Sequence, residues 1–68
     1  MNKFAERLCR TLESLKITQY ELAKQVNMSR SIINNYCTGK REPTLDSLML
    51  ICKALDESAD YLIGLVDG

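Results

Sequence analysis

Four hydroxyl residues divide this sequence into short segments, and each of them can start a helix. A serine or threonine immediately before the first turn of a helix, at the N-cap, accepts a hydrogen bond from one of the first free backbone amides of the helix. The four residues are Thr18, Ser29, Thr44 and Ser58. Thr18 is followed three positions later by Glu21, the spacing of a capping box. Because strand-like alternation is almost absent, the sequence predicts an all-α fold of five short helices.

The segment before the first cap has helical periodicity as well. Its apolar residues Phe4, Leu8, Leu12 and Leu15 recur every three or four positions, which predicts a first helix over about residues 2–15. A chain of 68 residues with 46% hydrophobic content can bury one core. We therefore expect a single compact domain over residues 1–68.

Residues that favour turns separate the predicted helices. Asn27 is expected to end helix two, because asparagine tolerates positive φ better than other non-glycine residues. Helix three is predicted over residues 30–38 and should stop at Gly39, with Pro43 in the following connection. Helices four and five then have apolar residues at Leu45, Leu48, Ile51, Cys52, Leu55, Tyr61, Leu62 and Ile63.

The absence of some residue types and segments excludes several functions. No apolar run approaches the roughly 20 residues that span a bilayer, and no signal-peptide core is present, so a cytoplasmic location is expected. With no histidine and no Cys-x-x-Cys pair, Cys9, Cys37 and Cys52 predict reduced, mostly packed thiols and neither a metal site nor a disulfide framework. No catalytic constellation or cofactor motif is evident, so the chain is not expected to be an enzyme.

Charge is distributed unevenly, although the formal net charge is zero. Residues 1–43 contain eight basic and four acidic side chains, whereas residues 44–68 contain one basic and five acidic side chains. This asymmetry permits a polyanionic partner at the basic half, but charged residues are more often only solvated surface.

Helix three has two contrasting faces when its residues are placed about 100° apart. One face carries Arg30, Ser31, Asn34, Asn35 and Thr38. The opposite face carries Ile32, Ile33 and Tyr36 and should pack inside the protein.

The polar face of helix three has two interpretations. It is either ordinary solvated surface or a surface that reads nucleic-acid bases. A merely solvated face more often uses glutamate, lysine and glutamine, because these residues favour helix and asparagine does not. Guanidinium, hydroxyl and carboxamide groups are those that recognise base edges, and no acidic side chain on this face would repel phosphates.

The stretch "TQYELAKQVNMSRSIINNYCTGKREPTLDSLMLICKAL" resembles the helix-turn-helix of the phage repressor and Cro-like (Xre-type) DNA-binding family. Its characteristic parts are Gln19 opening helix two, "ELA" at 21–23, "SRS" opening helix three and "GKREP" after it. The resemblance extends from Phe4 to Gly64. It implies a compact five-helix, lambda-repressor-like domain whose helix-turn-helix covers about residues 19–38, with helix three in the major groove.

The resemblance also assigns roles to individual residues. The positions expected to read bases are Arg30, Ser31, Asn34 and Asn35. The positions expected to contact phosphates are Gln19, Ser29, Thr38, Lys40 and Arg41. Asn34 and Thr38 are flanking positions that could touch either bases or phosphates. No cofactor or metal is implied.

Two departures from the family pattern concern the turn and one buried pair. Many members have glycine where Asn27 stands, and asparagine is the next-best residue for that backbone. Many also pair an arginine of helix one with a glutamate of helix three, at the positions of Leu12 and Cys37. Both charges are absent together, and an apolar pair can replace a buried ion pair. We therefore expect Leu12 and Cys37 to touch.

The leading hypothesis is a sequence-specific transcriptional regulator of double-stranded DNA, expected to act as a repressor at a palindromic operator. The alternative is a protein-interaction module, such as an antitoxin-like or adaptor domain, suggested by the neutral net charge and the apolar "YLIGLV" segment. That segment has more apolar residues than one face of a short helix needs, which predicts a weak homodimer. Its expected contacts are Tyr61, Leu62, Ile63, Leu65 and Val66.

Overall fold

The computed structural model describes residues 2–67, and every regular element in that part of the chain is a helix. This confirms the predicted all-α fold of five helices. The helices are α1 (Phe4–Leu15), α2 (Gln19–Val26), α3 (Arg30–Cys37), α4 (Leu45–Leu55) and α5 (Ala59–Leu62).

All four predicted caps form. The hydroxyl oxygens of Ser29, Thr44 and Ser58 accept from the amides three residues later at 3.1–3.2 Å. The capping box of α2 is complete, because Thr18 accepts from the Glu21 amide at 3.1 Å while Glu21 accepts from the Thr18 amide at 2.9 Å. The hydrogen bond from the Thr18 amide lowers the pKa of the Glu21 carboxyl group, so Glu21 stays ionised in more acidic solution than a free glutamate does.

The first helix begins two residues later than the periodicity predicted. The Asn2 side chain accepts from the Phe4 amide at 2.9 Å, which places Asn2 outside the helix. Its amide nitrogen donates to Glu42 at 2.7 Å and so connects the start of the chain to the segment before α4.

Left-handed residues end three of the helices. Asn27 does so with φ 56°, as expected from the sequence, but Lys16 (φ 56°) and Asp56 (φ 51°) were not predicted. Helix α3 ends at Cys37, one residue earlier than expected. Thr38 keeps right-handed backbone angles, and Gly39 then turns the chain with φ 79°.

The core lies between the helices, with α1 against α3 and α5, and α2 against α3 and α4. Its buried apolar residues are Phe4, Leu8, Leu12, Leu22, Ala23, Val26, Ile33, Tyr36, Ile51, Leu55 and Leu62. The Phe4 and Tyr36 rings meet edge to face at 5.9 Å. Two residues of the predicted apolar faces are exposed and do not join this core. Leu15 is 46% exposed at the end of α1, and Leu45 is 80% exposed in the first turn of α4, so periodicity failed at the helix ends.

Arg7 is buried in α1 with 3% exposure and was not singled out by the sequence. Its Nη1 donates to the backbone carbonyls of Tyr61 at 2.9 Å and Val66 at 2.8 Å. Its Nη2 lies 3.6 Å from the exposed carboxylate of Asp67. The side chain therefore ties α1 to the segment that follows α5.

Within residues 2–67, no helix combines the length and apolar character needed to cross a membrane.

Candidate nucleic-acid interface

The inner faces of α2 and α3 fix how these two helices are presented. Leu22, Val26 and Ile33 are buried, and α2 packs directly against α3. The left-handed turn at Asn27 lets the Met28 amide donate to the Ala23 carbonyl at 3.0 Å, which closes the end of α2. Ser29 then caps α3 immediately. The sequence thus builds a helix-turn-helix with the outer face of α3 directed away from the core.

The structure brings four predicted base-reading residues together on that outer face. Arg30, Ser31 and Asn34 are exposed, and Asn35 is partly exposed. Their side chains make no hydrogen bond or salt bridge with any residue between 2 and 67. The face therefore presents guanidinium, hydroxyl and carboxamide groups whose hydrogen-bonding capacity the described part of the chain leaves unused.

Two predicted phosphate contacts are already engaged within the protein. Ser29 accepts from the Ile32 amide, but its hydroxyl proton remains available to a partner. Thr38 donates its hydroxyl to the Asn34 carbonyl at 3.0 Å and sits 3.4 Å from the Asn35 carbonyl. Thr38 would have to exchange this bond before it could donate to a phosphate.

The loop after α3 folds back on the helix end. The amides of Lys40 and Arg41 donate to the Asn35 carbonyl at 2.9 and 3.3 Å, which fixes the backbone of the loop beside α3. Both side chains are exposed. Neither forms a salt bridge with any acid in the part of the chain that the structure describes. The loop therefore places two cations next to the polar face of α3.

At the start of α2, Gln19 is partly exposed at the helix N-terminus, where amides and the helix dipole favour an anion. Tyr20 is 57% exposed, and the Lys24 ammonium lies 5.5 Å from the centre of its ring. Tyr20, Lys24 and Arg30 line one depression between α2 and α3. Lys24 was missed as a site residue, although its position four residues after Tyr20 places both on the same face of α2.

The C-terminal segment differs from the predicted dimer surface in one residue. Leu62 is fully buried in the core of its own chain, so it is not available to a partner. Its spacing allowed either location, and α5 packs against both α1 and α4. Tyr61 lies against Arg7 and is only partly exposed. Leu65 and Val66 are 71% and 44% exposed and remain accessible.

Cys37 ends α3 against α1. The Cys9 thiol donates to the Cys37 backbone carbonyl at 3.4 Å. Burial, with a smaller contribution from Cys9, raises the pKa of the Cys37 thiol to about 12. Leu12 and Cys37 line the same groove, and the expected contact between these two side chains stays a prediction. No group of three or more potential metal ligands occurs among residues 2–67.

Two capped helices at a tight turn, with free polar groups on the second, define the class of helix-turn-helix proteins. Comparison of the sequence with family profiles agrees, since the profile described as "Helix-turn-helix" matches residues 4–62. The chain belongs to this helix-turn-helix family, and the family is one of DNA-binding transcription regulators.

Individual relatives and solved structures are similar over most of this chain. The "uncharacterized HTH-type transcriptional regulator YobD" of Bacillus subtilis is 30% identical over 94% of this chain and 57% of its own length. The cryptic phage CTXphi transcriptional repressor RstR of Vibrio cholerae is 32% identical over 91% and 55%. The chain thus spans little more than half the length of these curated relatives.

A crystal structure of the P22 c2 repressor in complex with a synthetic operator superimposes with a TM-score of 0.85. It is 33% identical and covers 93% of this chain and 96% of that chain. The solution structure of the P22 c2 DNA-binding domain gives a TM-score of 0.83 at 36% identity, covering 91% and 84%. These likenesses confirm the lambda-repressor-like fold expected from the sequence.

Proposed function

We propose that this chain binds double-stranded DNA in a sequence-specific manner and regulates transcription as a repressor, by occupying an operator. The observation that carries the proposal is the outer face of α3, where Arg30, Ser31, Asn34 and Asn35 have no partner within residues 2–67. The similar P22 c2 repressor is seen with a synthetic operator, and RstR is named a transcriptional repressor. Both support the same role here.

In this proposal α3 enters the major groove with its outer face toward the bases. The Arg30 guanidinium suits O6 and N7 of guanine, and the Asn35 carboxamide suits N6 and N7 of adenine. Ser31 and Asn34 lie beside them and complete the base-reading set. The exposed residues of α3 thereby supply hydrogen-bonding groups that discriminate among base pairs.

Phosphate contacts would flank the groove and set the register of the helix. Gln19 and the amides at the N-terminus of α2 face one phosphate, with Ser29 at the turn. Lys40 and Arg41 follow the backbone on the other side, and Thr38 joins them after exchanging its internal hydrogen bond. Lys24 adds a further cation between α2 and α3. These contacts carry affinity and salt dependence but no sequence information.

We further propose that two copies bind a palindromic operator with half-sites about 34 Å apart. The exposed Leu65 and Val66 are the apolar residues available for pairing, with Tyr61 and Ile63 partly accessible beside them. A mass measured at high concentration, with and without DNA, tests this. Leu65→Glu should weaken pairing. Leu45→Glu is the matched control, because Leu45 is also an exposed leucine but lies on α4, and it should leave pairing unchanged. A strictly monomeric mass under both conditions contradicts the dimer.

The alternative function, a protein-interaction module, has one structural observation in its favour. Leu45 and Met49 of α4 are 80% and 57% exposed, which leaves an apolar surface on this helix. The apolar "YLIGLV" segment supports an interaction module less than expected from the sequence, because its Leu62 is buried in the chain's own core. Salt-dependent binding to duplex DNA separates the two functions.

The decisive experiment is selection of bound duplexes from a random library. The expected result is an enriched sequence with two-fold symmetry. The variant Ser14→Ala, a control on α1, should bind this sequence as tightly as the wild type does. Asn35→Ala should lose preference at one base pair in each half-site. If no duplex is enriched and none binds at low salt, the proposal fails, and the interaction module becomes the better hypothesis. DNA binding also agrees with the cytoplasmic location expected from the sequence.

A further inference from the structure

Two cysteines from different helices meet at the surface between α1 and α3. The Cys9 thiol donates to the backbone carbonyl of Cys37 at 3.4 Å, and both cysteines line the same groove. Neither residue is fully buried. The two cysteines are 28 positions apart in sequence, so the fold itself has brought these side chains together.

The cysteine pair is open to small molecules. Cys9 and Cys37 both line one shallow groove, with Glu13, Lys16 and Gln19 along it. Cys52, the remaining cysteine, lies on α4 and lines a separate depression beside Leu48 and Ala59. The sulfur atoms of Cys9 and Cys37 are therefore neighbours of each other and are reached from solvent through a groove that Cys52 does not share.

We propose that Cys9 and Cys37 are an oxidisable dithiol, which a hydroperoxide converts into an intramolecular disulfide linking α1 to the end of α3. The inference concerns the fold of this chain and does not depend on DNA binding. It goes beyond the reduced, packed thiols expected from the sequence, since spacing alone does not show which cysteines approach each other.

The reaction is a two-electron oxidation of the two thiols. The Cys9 thiolate attacks one oxygen of the hydroperoxide, the O–O bond breaks, and the leaving oxygen takes up a proton to become water or an alcohol. Cys9 is then a sulfenic acid. The Cys37 sulfur attacks the Cys9 sulfur and forms the S–S bond, and the expelled hydroxide leaves as water with the Cys37 proton. Two thiols are oxidised, and one peroxide is reduced.

The groove favours this order of events. Burial keeps Cys37 protonated at neutral pH, so it is the slower nucleophile and acts second. The charged residues along the groove are Lys16 and Glu13, of opposite sign. The two sulfur atoms must then approach to a bond of about 2.05 Å, and rotation of the two side chains provides part of this movement.

A disulfide here would close a long loop that includes α2 and all of α3. Cross-links that close longer loops restrict the unfolded chain more strongly. For a loop of 28 positions in a domain of this size, the oxidised form should melt higher than the reduced form by roughly 5–15 °C.

The test is treatment of the reduced chain with a small excess of hydrogen peroxide, followed by intact mass, thiol titration after denaturation, and peptide mapping. The expected product is a monomer that has lost the mass of two hydrogen atoms, keeps one titratable thiol and contains a Cys9–Cys37 peptide. A reductant should restore the original mass and melting temperature. Cys52→Ser should behave as the wild type and finish with no free thiol.

Two variants keep the proposal falsifiable even if one folds poorly. Cys9→Ser retains a hydroxyl that can donate to the Cys37 carbonyl, and Cys37→Ser removes the second sulfur. Each should fail to form the intramolecular product, and peroxide should not raise its melting temperature. Wild-type chain that keeps three thiols, accumulates only sulfinic acid, or forms a disulfide through Cys52 would overturn the proposal.

Discussion

The guanidinium carbon of Arg7 lies 4.5 Å from the centre of the Tyr61 ring, and the same guanidinium donates to the Tyr61 carbonyl at 2.9 Å. Arg7 thus contacts the end of α5 through the Tyr61 ring face and through the backbone carbonyls of Tyr61 and Val66. Its Nε has no hydrogen-bond partner within residues 2–67. The contact holds the shortest helix of the fold against α1.

Arg7→Ala should destabilise the fold by about 2–4 kcal/mol, because it removes two hydrogen bonds from a buried guanidinium to backbone carbonyls and opens a cavity beside Tyr61. Chemical denaturation measures this change. Arg10→Ala is the matched control, since Arg10 forms only an exposed pair with Glu6 at 3.1 Å and should cost less than about 1 kcal/mol. Equal losses in the two variants would show that the tie to α5 adds no stability.

The Leu12 and Cys37 positions can be tested by restoring the charges of the family pattern. Cys37→Glu alone should bury a carboxylate without its arginine partner and destabilise by about 3 kcal/mol. Adding Leu12→Arg should recover part of this loss, as measured in a double-mutant cycle by denaturation. Strictly additive losses would show that the two side chains do not interact.

Base reading by Arg30 and phosphate binding by Lys40 predict different effects when each residue is replaced by alanine. Arg30→Ala should cost about 1–3 kcal/mol at the preferred site and relax the preference at one base pair per half-site. Lys40→Ala should weaken all sequences alike and make the salt slope shallower by about one unit. Binding to preferred and base-substituted duplexes over a salt series distinguishes these effects. If Arg30→Ala weakens every duplex equally, Arg30 contacts a phosphate instead.

Alkaline pH should weaken the fold through Cys37. The ordinary thiol pKa of 9.0 applies when the chain is unfolded, whereas burial raises it to about 12 in the fold. Below pH 9 both states hold the proton, so this thiol has no effect on the pH dependence. Between pH 9 and 12 the unfolded state binds fewer protons than the folded state, and stability falls as the pH rises.

The measurement is the melting temperature of wild type and Cys37→Ala from pH 7 to 11, with a reductant to prevent disulfide formation. Lysines and tyrosines titrate in both proteins, so the difference between the two curves isolates Cys37. The wild type should lose stability more steeply above pH 9. Parallel curves would show that the Cys37 thiol is no harder to ionise in the fold than in the unfolded chain.

Local signals in the sequence predicted the helices well, because hydroxyl caps and the Asn27 turn act through neighbouring backbone atoms. These local signals failed where contacts between residues distant in sequence determine which side chains are buried. The hydrogen bonds of buried Arg7 reach carbonyls more than 50 positions away, and Leu62 is buried in a helix that packs against α1 and α4. The exposed face of α3 could be predicted from its own periodicity. The Cys9–Cys37 contact could not, since it requires the crossing of α1 and α3.

The two ends of the described chain lie side by side. The Lys3 amide faces the Ile63 carbonyl at 3.5 Å, and a Cβ at Gly64 would lie 3.2 Å from Lys3 Cβ. The first and last parts of the described chain are therefore adjacent in space. A short flexible linker joining the ends should permit circular permutation, with new termini in the exposed segment 40–42 between α3 and α4. In such a permutant α3 would be the last helix of the chain and yet keep its place against α1 and α2.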